Sequence, residues 1–135
     1  MSFTIQGLDH VVIRTTDIDR MIKFYSEVVR CPLERSVESA GLYQMRAGSA
    51  LIDLVPVDSE IGKRGGAAPG KDAHNMDHFC LMLEDFDEAA IRAHLAEHGV
   101  EAGPTENRHG AAGRGPSIYI QDPDGNTVEL KGREE

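Results

Sequence analysis

Short apolar runs broken by polar residues occur in two passages of this chain, and both passages open the same way. Leu8-Asp9-His10-Val11-Val12-Ile13 leads into polar Arg14-Thr15-Thr16, then Asp17-Ile18-Asp19 and a helical stretch. Met76-Asp77-His78-Phe79-Cys80-Leu81 leads into Met82-Leu83-Glu84, then Asp85-Phe86-Asp87 and a second helical stretch. The offset is 68 residues, with no gap. Further on, Gly41-Leu42-Tyr43-Gln44-Met45-Arg46 and Ala50-Leu51-Ile52-Asp53-Leu54 parallel Ser117-Ile118-Tyr119-Ile120-Gln121-Asp122 and Asn126-Thr127-Val128-Glu129-Leu130 at an offset of 76. Two matched segments in one order, each closing on an acidic residue, mark an internal duplication.

The periodicity predicts the elements. Asp17 is placed to cap a helix whose apolar face carries Ile18, Met21, Ile22, Tyr25, Val28 and Val29, stopped at Cys31-Pro32. Asp85 is placed to cap a second, with Phe86, Ala89, Ala90, Ala93, Ile91 and Leu95 on its stripe and Gly99 as its stop. Strands are predicted at residues 11–13, 42–45, 50–55, 79–83, 118–120 and 127–130, with weaker ones at 33–37 and 100–103. Ala47-Gly48-Ser49 makes one late turn; Asp122-Pro123-Asp124-Gly125-Asn126 makes the other, pairing a Pro that presets φ with an Asp-Gly that tolerates positive φ. The expected fold is α+β: two βαβββ modules in tandem, residues 5–57 and 76–132, forming a curved mixed-sheet cleft with helices on the outer face. Residues 58–75 link them. Two Gly-rich segments, 56–75 and 105–116, lack periodicity and are expected to be mobile surface loops, the second a candidate lid.

Strand alternation then sorts the polar residues. Val11 and Ile13, Phe79, Leu81 and Leu83, Ile52 and Leu54, and Val128 and Leu130 make uniformly apolar faces for the helices to cover. The opposite faces hold His10, Val12 and Arg14; Leu51, Asp53 and Val55; His78, Cys80 and Met82; Thr127, Glu129 and Lys131. Each of these strands therefore presents one imidazole or one carboxylate away from the helices. Carboxylates in a cleft are costly unless they are paired or hold a cation. Two imidazoles and two carboxylates suit Zn, Fe, Mn, Co or Ni better than calcium or magnesium. His74, His94, His98 and His109 fall outside this register and are expected in solvent. Cys80 shares the His78 face and could line the cleft, but as a lone cysteine it is expected to fill core.

Composition narrows the partners. The 135 residues suffice for one domain that buries about two-thirds of its unfolded surface. A formal net charge of −9 argues against nucleic acid and against an anionic membrane. No signal peptide is discernible and no apolar run approaches the ~20 residues of a membrane span, so a cytoplasmic location is expected. Cys31 and Cys80 have neither the number nor the spacing of a disulfide framework.

The segments Leu8-Asp9-His10, Ile52-Asp53-Leu54, Met76-Asp77-His78 and Tyr119-Ile120-Gln121-Asp122-Pro123-Asp124-Gly125-Asn126-Thr127-Val128-Glu129-Leu130 resemble the vicinal oxygen chelate superfamily. That group takes in glyoxalase I, fosfomycin-modifying enzymes, extradiol dioxygenases and bleomycin resistance proteins. Residues 108–113 ahead of Ser117 look most like small glyoxalase-like proteins of unassigned substrate. The resemblance implies His10, His78 and Glu129 as ligands of one divalent transition metal ion. Asp53 takes a fourth place that is usually Glu, and it is shorter by one methylene, roughly 1.5 Å. It implies also a homodimer with sites shared at the interface.

The expected activity is that of a metal-dependent lyase or isomerase of the glyoxalase type, acting on a small substrate with vicinal oxygens. Glu129, or Asp53 through water, would move a proton between carbons. Arg14, Lys131, Arg108 and Arg114 are the candidates to hold an anionic substrate group. Two alternatives share the scaffold: an Fe(II) dioxygenase using His10, His78 and Glu129 with Tyr119, Tyr43 or His109 in support, and a non-catalytic binder of the bleomycin-resistance type.

Overall fold

The computed structural model describes residues 4–134. Backbone contacts divide it into two units, one reaching Pro69 and the other starting at Gly70.

In the first unit, β1 (His10–Thr15) is followed by α1 (Ile18–Lys23), β2 (Leu33–Val37), β3 (Leu42–Ala47) and β4 (Ala50–Pro56). The sheet order is β1-β4-β3-β2, with β1 parallel to β4 and the other neighbours antiparallel. Asp17 caps α1 as expected, its carboxylate accepting the Arg20 N–H at 3.1 Å. The helix then widens into a π-helical turn, Phe24–Val28, that buries Phe24, Tyr25 and Val28 together. It ends at Arg30, whose φ of +64° is left-handed, one residue before the expected stop. Ile13, Met45, Ile52 and Leu54 form the core face of the sheet, and α1 lies against β4.

The second unit repeats the plan with β5 (His78–Met82), α2 (Glu88–Glu97), β6 (Glu106–Arg108), β7 (Gly115–Gln121) and β8 (Thr127–Lys131), in the order β5-β8-β7-β6. Its core is Ile118, Ile120, Val128, Leu130 and, from α2, Leu95. The duplication read from the sequence is thus a duplication of topology, and each unit is a βαβββ module. Among the described residues no helix is long and apolar enough to cross a membrane.

Three details depart from expectation. Asp87, not Asp85, caps α2, accepting the Ala90 N–H at 3.1 Å. Gly99 then closes the helix at φ +69°, donating to the Ala96 carbonyl while Val100 N donates to Leu95, the two bonds of a Schellman end. The weak strand expected at 100–103 lies instead at Glu106–Arg108. Gly103 N still reaches the Tyr119 carbonyl at 3.0 Å, but Pro104 has no N–H to continue a ladder, and pairing resumes beyond it. The Gly-rich loop is correspondingly shorter, residues 109–114.

The third concerns the hairpin turns. Ala47 pairs with Ala50 around a two-residue loop. In the second unit Asp122 N bonds Asn126 O, enclosing three residues with Gly125 at φ +84°. That extra residue shifts the incoming strand by one, and a shift of one exchanges faces. Tyr119 stands opposite Glu129, whereas its topological counterpart opposite Asp53 is Gln44. Tyr43 pairs with Leu54 on the helix-covered face and is not the mate of Tyr119.

Candidate functional site

Each unit carries one imidazole and one carboxylate at equivalent positions. In the first, β1 runs parallel to β4 with Val12 opposite Asp53, so His10 projects from the same face as Asp53. His10 Nδ1 lies 2.7 Å from Asp9 Oδ2 and its Nε2 lies 3.8 Å from Asp53 Oδ2. Asp53 is only 3 % exposed, and its other oxygen accepts from Gln44 Nε2 at 3.2 Å. In the second unit, His78 Nδ1 lies 2.6 Å from Asp77 Oδ2, and its Nε2 lies 3.2 Å from Glu129 Oε1. Glu129 is 5 % exposed, and its Oε2 is buried with no hydrogen-bond partner among the described residues.

The chemistry of each pair follows from the aspartate that precedes the histidine. A carboxylate on Nδ1 fixes the proton there and turns the Nε2 lone pair toward the second carboxylate. Two lone-pair atoms then face one another, which is favourable only when a proton or a cation lies between them. The hydrogen bond to Asp9, and after it the charge of Asp53, raises the His10 pKa above its ordinary value. Nitrogen donors backed by carboxylates, facing buried oxygens of which one is orphaned, make a donor set that fits a divalent transition metal. Among the described residues no three His, Cys, Asp or Glu side chains are gathered into a formed metal cluster. What the geometry supplies is two pairs.

The cationic candidates are differently engaged. Arg14 donates from Nε to the Gly62 carbonyl at 2.9 Å, and from its terminal nitrogens to Gly65, Gly66 and Ala67 at 3.1, 2.5 and 3.2 Å. It ties down the segment after β4. Lys131 is 1 % exposed and donates from Nζ to the carbonyls of Gly113 and Gly132 at 2.9 and 3.2 Å, which fastens the Gly-rich loop to β8. Arg108 lies over the Tyr119 ring at 4.0 Å and bonds Ser117 and Glu106. Arg114 is exposed on the loop, and its side chain has no hydrogen bond or ion pair among the described residues.

Cys80 is exposed rather than core, standing opposite Glu129 in the sheet. Burial of its sulfur, then the Glu129 charge, pushes its pKa up to about 11. The Tyr119 ring meets the His78 ring edge-on at 5.4 Å. His109 is exposed. Three residues that hold the pairs lie outside the sequence reading: Asp9 and Asp77, visible as a repeated Asp-His pair, and Gln44, whose placement depends on the hairpin register.

The comparisons with known proteins agree with the architecture. The sequence model of the Glyoxalase/Bleomycin resistance protein/Dioxygenase superfamily matches residues 7–130. The glyoxalase domain-containing protein RDO1 of Mycosarcoma maydis is 31 % identical over 129 residues, covering 94 % of this chain and 68 % of that protein. Virulence protein STM3117 of Salmonella typhimurium is 30 % identical over 131 residues, 93 % of this chain and 83 % of its own length. Its crystal structure superposes with a TM-score of 0.80, at 23 % identity, over 98 % of this chain and 100 % of that one. The fosfomycin resistance protein FosX of Listeria monocytogenes shares the fold at a TM-score of 0.69 and 18 % identity, covering 97 % of this chain and 96 % of its own.

Proposed function

This chain belongs to the Glyoxalase/Bleomycin resistance protein/Dioxygenase superfamily, and from that premise we propose that it is a divalent-metal-dependent lyase or isomerase of the glyoxalase type, acting on a small substrate with vicinal oxygens. The observation that carries this reading is the twin His–carboxylate pair, each imidazole anchored by an aspartate, with a buried oxygen on Glu129 that has no hydrogen-bond partner among the described residues. His10, His78, Glu129 and Asp53 would hold the metal, which supplies Lewis-acid polarisation of the substrate oxygens when bound.

The chain's own residues do the rest. Glu129 takes the proton from the carbon beside a carbonyl, the C–H electron pair moving toward the oxygen. It returns that proton to the former carbonyl carbon while the proton of the adjacent hydroxyl passes to the oxygen there, so carbonyl and hydroxyl exchange places and no redox partner is consumed. Burial keeps the carboxylate away from bulk water, so the proton is returned to substrate rather than lost. Asp77 and Asp9 hold the imidazoles in one tautomer. Among the described residues Arg114 alone of the four cations has no side-chain partner to give up, so it could meet an anionic substrate group without breaking a contact. Arg14, Lys131 and Arg108 would have to leave existing partners to do so.

The test is turnover of the methylglyoxal–glutathione hemithioacetal by protein supplied in turn with Zn, Ni, Mn, Co and Fe. Metal-dependent turnover abolished by Glu129→Gln supports the assignment. A protein that takes up metal yet is inactive here, but consumes oxygen with a catechol, overturns it in favour of the dioxygenase.

A further inference from the structure

The two His–carboxylate pairs match in topology but not in what surrounds their carboxylates. Gln44 and Tyr119 hold the same place in their sheets, each directly opposite the acidic residue of the neighbouring strand. Gln44 donates its amide to Asp53 Oδ1 at 3.2 Å, leaving Asp53 one oxygen, the one 3.8 Å from His10. Tyr119 gives Glu129 no such bond. Its ring is committed instead to the Arg108 guanidinium at 4.0 Å and to the edge of His78 at 5.4 Å, and Glu129 Oε2 stays buried with no hydrogen-bond partner among the described residues. An unsatisfied buried oxygen is expensive, and a native structure keeps one where something else occupies it.

We propose that the duplicated site is divided by this one exchange: Gln44 is a positioning residue that fixes Asp53 as a one-oxygen partner of the His10 side, while Tyr119 in its place leaves Glu129 a second oxygen open to cation and substrate. The inference rests on the metal reading above and assigns the two carboxylates unequal parts within it. Asp53 is the shorter of the pair, so its usefulness depends on being held; Glu129 has reach and an open oxygen. The hydrogen bonds that orient ligating carboxylates are worth 10- to 100-fold in metal affinity, which sets the expected size of the effect.

The experiment is a reciprocal set of variants read by Zn(II) affinity, measured by chelator competition, and by thermal unfolding of the metal-free chain. Gln44→Leu should lose roughly 10- to 100-fold in Zn(II) affinity. That loss should vanish in an Asp53→Asn background, because the amide acts through Asp53 alone. Tyr119→Gln should give Glu129 Oε2 a donor in place of the ring's contacts with Arg108 and His78, so Zn(II) affinity falls. Unchanged affinity in Gln44→Leu, or an equal loss with and without Asp53, overturns the proposal. A wild-type chain that binds no Zn(II) overturns the metal reading itself. The Gln44–Asp53 bond would then still show in the metal-free melting temperature, lowered by Gln44→Leu in the wild-type chain and unchanged by it in the Asp53→Asn background; an equal fall in both would defeat the inference independently.

Discussion

Replacing Arg14 with Met separates two roles for this residue, holder of a substrate anion and fastener of a loop. Methionine keeps most of the apolar stem and removes only the guanidinium. Four carbonyls lose their donor: Gly62, whose bond is part-buried, and Gly65, Gly66 and Ala67, whose bonds face solvent. A part-buried bond from a charged donor contributes about 1.5–3 kcal/mol, and an exposed one a few tenths. Because one side chain makes all four, they do not add fully, and a loss of about 2 kcal/mol is the reasonable total. That is roughly a 30-fold rise in the population of the opened segment, since 1.4 kcal/mol is a factor of ten. The segment contains exposed Lys63 and Arg64, so trypsin reports it directly. Cleavage after these residues should quicken about 30-fold when opening is fast relative to cutting. Gly65→Ala should act in the same direction but more weakly, because its Cβ would meet the Arg14 guanidinium at 2.5 Å and this flexible side-chain end can move aside. Cleavage at the wild-type rate in both variants, with a rise in substrate KM for Arg14→Met, would refute the fastener and restore the anion-binding role.

Other expectations follow from single features. Asp87→Ala should cost about 1 kcal/mol of stability in urea unfolding and Asp85→Ala under half of that, since Asp87 alone holds the cap bond. Arg30→Gly should stabilise by about 1 kcal/mol in the same assay by relieving a left-handed residue. Burial pushes the Cys31 thiol, and burial with the Glu129 charge the Cys80 thiol, up to about 11 from 9.0. Because folding raises both, the stability they contribute is intact below pH 9 and is lost as pH climbs toward 11. Iodoacetamide labelling of the folded chain should therefore stay slow at neutral pH, even at exposed Cys80, and speed up only toward that range.

What the sequence made legible was whatever depends on short-range periodicity. Strand alternation alone put His10, Asp53, His78 and Glu129 on the faces turned from the helices, and the repeat supplied the order of strands in both sheets. Properties set by backbone elsewhere were not legible. Arg14 and Lys131 each share a strand face with a histidine and a carboxylate of their own sheet, but their partners are loop carbonyls, which have no side-chain signature. The identity of the residue opposite each carboxylate turned on one extra residue in a turn, and so Tyr43 was matched with Tyr119 where Gln44 is the true counterpart. A proline just past the expected strand moved β6 by several residues. The orphaned oxygen of Glu129 is a property of packing that no pattern of residue types encodes.

The central claim is that the two His–carboxylate pairs are the ligand set of a metal site, and metal content tests it most directly. Elemental analysis of the purified chain, after reconstitution and desalting, should find about one divalent transition metal ion per chain. It should find much less in His10→Ala, His78→Ala and Glu129→Ala variants that remain folded. A wild-type chain that retains no metal, or variants that retain as much as the wild type, would contradict the account.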